Sequence, residues 1–245
     1  WRAPIDNDYG NGSPAKWQPW KVYGKAEEAT HVSDKMVDGN RVVTVTYLME
    51  DIKCANVITY TLESNGALTI EALMSQATID EAPRYGIRWR MDSEFSNIRY
   101  YGRGPWENYC DRLTGSYYGR YYSTVADMYE PYPKPQSMAN REGLRELLLV
   151  NPETNHGIKV ETEGNVAFSV LHYSDVALKN AKHSWELAEP EYVYAHFDAM
   201  QNGLGNGSCG GSPLATLSKY KIASYGDYTY KLRFSVVEKV DTDID

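Results

Sequence analysis

Residues 102–112, which read GRGPWENYCDR, hold the densest set of side chains that could do chemistry. Two acids and two arginines so close together can form a paired, partly buried network that fixes a loop. They can also line a sugar-binding surface beside Trp106, whose indole has a flat apolar face and a polar edge. We favour the structural network, and we predict that Asp111 and Arg112 pair within the domain. The predicted members of the network are Glu107, Asn108, Asp111 and Arg112.

Metal-dependent and nucleophilic chemistries have no motif in the sequence. The five histidines show no HExxH or HxH spacing, and there is no GxSxG segment or phosphate-binding GxxxxGK loop. Cys54, Cys110 and Cys209 are odd in number and far apart, which argues against a disulfide framework or a structural zinc site. Asp6 begins a calcium-like loop, but its twelfth residue is Trp17 where a bidentate glutamate is required. We therefore expect a polar turn there and no metal site.

Composition and charge indicate a globular chain with one large core. It has 245 residues, of which 42% are apolar and 24% charged, and we predict a single domain over residues 1–245. A formal net charge of −8 gives no attraction to a phosphate backbone or an anionic membrane, so nucleic acid and lipid are not expected as partners. The chain starts at Trp1 without a signal-like segment, which suggests a piece of a longer protein.

The elements that must position these side chains are predicted to be strands. Alternating apolar and polar residues, rich in β-branched and aromatic side chains, recur along the chain. In residues 85–91, apolar side chains alternate with glycine and arginine, so one face of that strand is apolar and the other is charged. The predicted strands cover residues 41–49, 57–62, 67–74, 85–91, 144–150, 157–163, 166–173, 191–197 and 228–236.

Helical signals are few and short. Ser13 followed by Pro14 predicts one or two helical turns, and a second helix is predicted from Ser174 to Leu187. A parallel sheet would need a longer helix between each pair of strands. We therefore predict an all-β fold, a large antiparallel β-sandwich with one or two short helices. The short patterns at residues 102–104 and 203–205 are interpreted as tight turns.

These motifs together resemble the C-terminal small-chain domain of β-galactosidases of glycoside hydrolase family 2. The resemblance begins with residues 1–8, WRAPIDND, includes residues 102–112 and extends over essentially the whole chain. It also rests on Asp127-Met128-Tyr129, Pro131-Tyr132, Pro135-Gln136, Asn140-Arg141, Asp198 and Gly203-Leu204-Gly205. It implies a β-supersandwich of the galactose-mutarotase-like type. The sequence departs from the family where Ser137 replaces a glutamate and Cys209 replaces a tryptophan.

The resemblance also implies how the parent enzyme works. Retaining β-galactosidases use two glutamates about 5 Å apart, and in the family both lie on an upstream (β/α)₈ barrel domain. The chain alone is therefore expected to be inactive toward a β-galactoside substrate. No cofactor is expected within it, and any Mg²⁺ or Na⁺ would belong to other domains of the parent, which is expected to be a homo-oligomer.

Four residues are expected to contact substrate. The resemblance places Gly10, Asn11 and Gly12 near the barrel opening, where glycines would let the loop move on substrate binding. It also places an aromatic platform for the sugar or leaving group on the strand before Asp198, at Tyr194. From the residues alone, Tyr194 is equally an inward-facing strand aromatic.

Two other functions remain open from the sequence. A free-standing mutarotase or epimerase of the related fold would open a sugar ring with a histidine acid and a glutamate base. A carbohydrate-binding module would hold polysaccharide without chemistry. No histidine here lies in a motif that names it, and fold alone does not determine function.

Overall fold

Strands make up most of the regular structure, as the all-β prediction requires. The computed structural model describes residues 1–23, 28–79, 81–188, 190–205, 216–223 and 226–240. The strands are β1 His31–Val37, β2 Asn40–Met49, β3 Cys54–Leu62, β4 Leu68–Met74, β5 Arg84–Asp92, β6 Asn97–Gly104, β7 Tyr117–Thr124, β8 Arg141–Val150, β9 Gly157–Leu171, β10 Tyr192–Gln201 and β11 Tyr228–Val237. The α-helices are α1 Asp6–Gly10, α2 Ser13–Lys16, α3 Gln18–Tyr23 and α4 Asp175–Asn180. In these ranges no helix has the length and apolar character to cross a membrane.

The strands form two antiparallel layers that share β9. The larger layer has the order β1-β2-β3-β4-β11-β9-β8-β6-β7, and β10 pairs with β9 and with β5 off this path. Residues 157–163 of β9 pair with β11, whereas residues 167–171 pair with β10. Gly164, with φ at +88°, lies where the partner changes. The predicted antiparallel sandwich is confirmed, but the two strands predicted at 157–163 and 166–173 are one bent strand.

The core lies between the layers, where aromatic side chains of β5 and β10 meet β11. The ring of Trp89 stacks on Phe234 with centroids 4.3 Å apart, and Phe197 contacts Phe234 at 5.7 Å. On the opposite side of β5, Arg88 and Arg90 are exposed. The alternation predicted for residues 85–91 therefore orients this strand, because its apolar face is the one that is removed from water.

The sequence patterns did not predict β1, β6 or β7. Residues 102–104 are the end of β6 and not the tight turn that we predicted. A Cβ added at Gly104 would lie 2.3 Å from the Tyr100 hydroxyl oxygen and 2.9 Å from the Tyr121 ring, so the glycine makes room for neighbouring side chains. In β7 tyrosines occupy both faces, which removes the period-2 signal.

The helices also differ from the prediction. The helix predicted at Ser13 is α2, but α1 precedes it, so Gly10 is the last helical residue of α1 and not part of a loop. Asp8 favours α1 because its carboxylate accepts a hydrogen bond from the Ile5 backbone N–H at 3.0 Å. The second predicted helix is shorter than expected: it covers Asp175–Asn180, and the Ser174 hydroxyl accepts from the Ala177 N–H at 3.2 Å.

Candidate functional site

Motif residues that are distant in sequence meet at one end of the sandwich, where β6 and β10 end and β5 and β8 begin. Gln201, the last residue of β10, donates from Nε2 to Asn140 Oδ1 at 2.9 Å and pairs in the sheet with Arg84. We call this region the motif end, and it comprises residues 2–12, 103–112, 129–142 and 201–205. The fold therefore gathers the segments from which the family resemblance came.

Three motif side chains hold the backbone of the loop that follows β10. The Asp111 carboxylate accepts from the N–H groups of Leu204 and Gly205 at 3.1 and 2.8 Å. Arg112 donates to the Gly205 carbonyl at 2.6 Å. Asn7 Nδ2 donates to the carbonyls of Leu204 and Gly205 at 2.9 and 3.1 Å. The ion pair predicted between Asp111 and Arg112 is not formed. Each side chain instead bonds a backbone group of opposite polarity on the same loop.

Glu107 and Asn108 attach the turn after β6 to the segment before β8. The Asn108 N–H donates to the Asn140 carbonyl at 2.7 Å, and Asn140 Nδ2 donates back to the Asn108 carbonyl at 2.8 Å. The Glu107 carboxylate accepts from the Tyr132 hydroxyl and from the Ala139 N–H, the latter at 2.9 Å. Asn108 and Asn140 are buried, so these hydrogen bonds replace those that water would make.

The segment of residues 1–8 is held in place by the fully buried side chain of Arg2. Arg2 forms an ion pair with Asp8 at 2.9 Å and donates to the Asn202 carbonyl at 2.7 Å. Its guanidinium also lies 5.4 Å from the centre of the Trp17 ring. The start of the chain is thereby bound to the end of β10. The resemblance pointed to this segment, but nothing in the local sequence indicated the partner at Asn202.

A polar cavity of about 220 Å³ opens beside α1 and α2. Of the three residues predicted to form a substrate loop, Asn11 lines it, while Gly12 adopts a left-handed conformation at φ +69° that starts α2. Glu81 and Lys221 form an ion pair of 2.8 Å in its wall. The lining residues are Asp8, Asn11, Ser13, Lys16, Trp17, Glu81, Asn202, Gly203, Thr216 and Lys221. Such a lining offers hydrogen bonds to hydroxyl groups.

Tyr194 lies at the other end of β10 from this cavity. Eight residues of extended chain separate it from Asn202, a distance of about 25 Å, which is several times the width of a sugar ring. Its ring is half-buried, and the Arg88 guanidinium lies 5.7 Å from the ring centre. The structure therefore does not bring Tyr194 and Asn11 into one site. The sequence did not show this, because it does not tell which ends of two elements meet.

A buried cluster of charged side chains separates these two regions. Arg84 Nη2 lies 2.6 Å from Asp175 Oδ2, and Arg84 Nε lies 3.6 Å from Asp198 Oδ1. His196 Nε2 lies 3.4 Å from the same oxygen of Asp175. Sequence reasoning missed Arg84, Asp175 and His196. The cluster joins β5, β10 and α4, which no local pattern relates to each other.

Burial sets the protonation states in this cluster. It raises the pKa of Asp198 to about 7, although Arg84 opposes the shift, and it lowers the pKa of His196 to about 3. Burial alone would also raise the pKa of Asp175, but Arg84 and His196 outweigh it and hold that pKa below its ordinary value. Near neutral pH, Asp175 is the charged partner of Arg84 and His196 is neutral. Since these side chains are buried, the cluster holds β5, β10 and α4 together and is closed to a substrate.

Neither a metal site nor a disulfide is found in the part of the chain that the structure describes. There, no group of three or more histidine, cysteine, aspartate or glutamate side chains could hold a metal ion. Cys54 is buried and Cys110 half-buried, and both are free thiols. Cys209 lies outside the described residues.

Solved structures with a general likeness to this chain are sugar epimerases and mutarotases. The galactose 1-epimerase of Lactobacillus acidophilus NCFM has a TM-score of 0.44 and 9% identity, covering 85% of this chain and 66% of that one. A GalM/aldose epimerase homologue from C. elegans has a TM-score of 0.41 and 8% identity, covering 85% of this chain and 69% of that one.

Similarity in sequence is stronger and points to one family. A β-galactosidase of Streptococcus thermophilus is 33% identical over 217 residues, which is 87% of this chain and 21% of that protein. One of Priestia megaterium is 28% identical over 206 residues, covering 84% of this chain and 20% of that protein. The chain thus spans about a fifth of the length of these relatives. The family model described as "Beta galactosidase small chain" matches residues 1–234, so the chain belongs to the β-galactosidase small chain family.

Proposed function

We propose that this chain is the C-terminal domain of a β-galactosidase that hydrolyses terminal β-D-galactosyl residues by a retaining mechanism. Its motif end would shape the mouth of the active site. The observation that carries the proposal is the family match over residues 1–234. Because the chain covers only 21% of the Streptococcus thermophilus relative, the remaining length of such a protein is ample for a (β/α)₈ barrel of about 250 residues.

The catalytic glutamates would lie on that barrel and not on this chain. A retaining glycosidase needs two carboxyl groups about 5 Å apart on either side of the bond that it cleaves. Asp175 and Asp198, which share Arg84 as a partner, are buried and leave no room for a sugar between them. The chain would therefore supply binding surface and shape, while the barrel supplies the nucleophile and the acid.

The motif end is the part of the chain that we place against the substrate. Gly10, Asn11 and Gly12 would border the active-site mouth, with Asn11 offering its side chain to a hydroxyl group. Networks of buried hydrogen bonds hold the surrounding segments, so the surface is preorganised for binding. Tyr194, about 25 Å away along β10, could contribute only to a separate contact.

Two further properties of the parent rest on the family alone. We place any Mg²⁺ or Na⁺ in its other domains, and we expect it to form a homo-oligomer. Metal analysis of the parent enzyme and of this chain, with gel filtration of both, tests these two expectations.

A mutarotase has less support from the geometry. That reaction needs a histidine acid and a glutamate base on opposite sides of an open cleft. His196 is buried with its pKa lowered to about 3, so near neutral pH it is a neutral imidazole and not the imidazolium that would act as the acid. His183 and Glu186 bond each other at 2.9 Å on an exposed turn and so do not face each other across a cleft.

Reconstitution tests the proposed function. Three samples are assayed on a chromogenic β-galactoside: this chain, the remaining domains of the parent, and both together. We expect hydrolysis only when both are present. Hydrolysis by the remaining domains alone, at the full rate, would contradict the proposed role.

Two further assays test the alternative functions. The isolated chain is added to freshly dissolved α-galactose, and it is separately applied to a polysaccharide affinity gel. Faster mutarotation would favour the epimerase, and retention with no reconstitution would favour the binding module.

A further inference from the structure

Strand β7 is an edge of the large layer, and little in its sequence opposes pairing with a further strand. In the described part of the chain its one strand partner is β6, and the two pair without a bulge from Asn97 opposite Thr124 to Gly104 opposite Tyr117. The sequence of β7, YYGRYYST, contains no proline and a single charged residue, Arg120. Edge strands that stay unpaired usually carry charges, proline or a bulge. β7 therefore has the features of a strand that accepts another partner.

The other two edge strands are protected by charge. β1, at the far edge of the large layer, carries Asp34 and Lys35, and Arg41 of β2 donates to the Asp34 carboxylate at 2.6 Å. β5, which within the described residues pairs with β10 alone, carries four charged side chains: Arg84, Arg88, Arg90 and Asp92. Charge along an open edge opposes pairing with a second strand. Of the three edges, β7 is thus the one open to a partner.

On the face that points away from the core, β6 and β7 form an alternating array of arginine and tyrosine side chains. Each arginine of the array lies opposite a tyrosine on the other strand, and its guanidinium is 4.7 to 5.6 Å from the centre of that ring. Such contacts are attractive because the ring face is electron-rich. The three pairs are Arg99 with Tyr122, Tyr101 with Arg120, and Arg103 with Tyr118. At the edge of the sheet the array ends in exposed side chains of β7, among them Tyr118 and Arg120.

We infer that β7 pairs with β7 of a second copy of this chain, antiparallel and related by a two-fold axis, so that the array continues from one copy into the other. A two-fold axis perpendicular to the sheet keeps each face on its own side. With the axis at Gly119, Tyr118 lies opposite Arg120 of the partner subunit, and Arg120 lies opposite Tyr118 of the partner subunit. The strand is thus complementary to itself, which favours a second copy over an unrelated partner.

The inner face of β7 distinguishes between two registers. An axis at Gly119 or at Tyr121 places Arg120 opposite a tyrosine, whereas an axis at Arg120 places two arginines opposite each other. Tyr117 is 71% exposed on the inner face, and the register centred on Gly119 covers it with Tyr121 of the partner subunit. The register centred on Tyr121 leaves Tyr117 uncovered. We therefore place the axis at Gly119.

The test is the mass of this chain in solution, measured by analytical ultracentrifugation over a series of concentrations. We expect a reversible dimer, and we expect Arg120→Glu to raise its dissociation constant about tenfold or more, because both arginine–tyrosine contacts across the axis are lost. Lys35→Glu makes the same change of charge on β1 and should leave the dissociation constant unchanged. In dilute solution, where the chain is monomeric, both variants should melt at the temperature of the wild type.

A charge exchange tests the register. Tyr118→Arg places an arginine opposite Arg120 of the partner subunit and should weaken the dimer, and combining it with Arg120→Glu should restore the dimer by placing opposite charges across the axis. Tyr122→Arg is the matched control, since Tyr122 is the same distance from Arg120 within β7 but does not face it across the axis. Combined with Arg120→Glu, it should restore nothing.

Three results would overturn the inference. The first is a chain that stays monomeric up to about 1 mM, which corresponds to a negligible affinity. The second is a dimer that Arg120→Glu and Lys35→Glu weaken equally or not at all. The third is a dimer restored by Tyr122→Arg and not by Tyr118→Arg, which would contradict the register. The inference goes beyond the proposed function, and none of these measurements depends on the activity of the parent.

Discussion

The buried cluster of Arg84, Asp175, His196 and Asp198 and the outer face of the large sheet use the same charged residue types in opposite surroundings. In the buried cluster, the ion pair of Arg84 and Asp175 has side chains only 7% and 8% exposed. On the outer face, the pair of Arg120 and Glu146 is 72% and 37% exposed. That face carries a row of ion pairs 2.9 to 3.7 Å long, in the order Glu63, Arg233, Glu161, Lys159, Glu146 and Arg120.

The two regions differ in how their partners come together. On the outer face, the pairing register of the strands is enough to place the charged side chains beside one another. Glu146 lies opposite Glu161, which lies opposite Arg233 on the next strand. In the buried cluster, Arg84 and Asp175 lie on different elements and are 91 residues apart in sequence. Exposed pairs keep the sheet surface hydrated and contribute little to stability. Buried pairs leave an unpaired charge if one partner is lost, so they fix where their loops lie.

The largest expected effect is on stability when Arg84 is removed. Arg84→Ala leaves Asp175 and Asp198 buried without their cation, which should lower the free energy of unfolding by about 3–5 kcal/mol. Urea unfolding measures the change, and Arg120→Ala on the outer face is the matched control, with an expected change in melting temperature of less than about 1 °C. Equal effects of the two substitutions would remove the distinction between the regions.

Two substitutions, Asp198→Asn and His196→Gln, should change the pH dependence of stability in opposite directions. The folded-state pKa of Asp198 is raised to about 7, so its contribution to stability is present at acidic pH and lost as pH rises through 7. The folded-state pKa of His196 is lowered to about 3, so stability instead rises with pH between about 3 and 6.5.

Unfolding measured from pH 4 to pH 8 compares the two variants with the wild type. Asp198→Asn should gain stability relative to the wild type as pH rises from about 4 to 7, because it has no carboxyl to ionise. His196→Gln should lose the rise between about pH 3 and 6.5. Parallel pH curves for all three proteins would show that neither group titrates differently in the folded state.

A smaller loss of stability is expected at the loop after β10. Arg112→Ala removes the hydrogen bond to the Gly205 carbonyl, and a bond from a charged donor contributes about 1.5–3 kcal/mol. Because Asp111 holds the same loop through Leu204 and Gly205, a double-mutant cycle with Asp111→Ala should reveal coupling between the two residues. Strictly additive losses would mean that the loop does not connect them.

The smallest effect is expected at the far end of β10. Tyr194 lies about 25 Å along β10 from Asn202, which lines the same cavity as Asn11, so one sugar ring cannot reach both ends of the strand. In the parent enzyme we expect Asn11→Ala to raise KM severalfold, because it removes a side chain from the cavity wall, and Tyr194→Ala to leave KM within about twofold. A five- to tenfold rise for Tyr194→Ala would instead place the sugar at that end of β10, in the stacking role that the family resemblance implies.

Much of the fold could be read from local patterns. Residues 85–91 alternate between buried or half-buried side chains and exposed ones, and β5 follows that alternation because only one of its faces meets the core. The same signal fails in β7, where tyrosines on both faces give no period, and in β9, which bends at Gly164 without ending. The turn predicted at Gly104 is wrong, since a glycine that makes room for Tyr100 and a glycine that turns the chain look alike in sequence.

The candidate site divides in the same way. Residues 102–112 were identified as a polar network from composition alone, because charged groups at such density must find partners. Which partners they find depends on contacts across long separations: Asp111 bonds Leu204, 93 residues away, and Arg2 bonds the carbonyl of Asn202, 200 residues away. Local spacing carries no record of such pairs. They form because packing of the two layers brings particular strand ends together, and the buried polar groups there must bond whatever lies within reach.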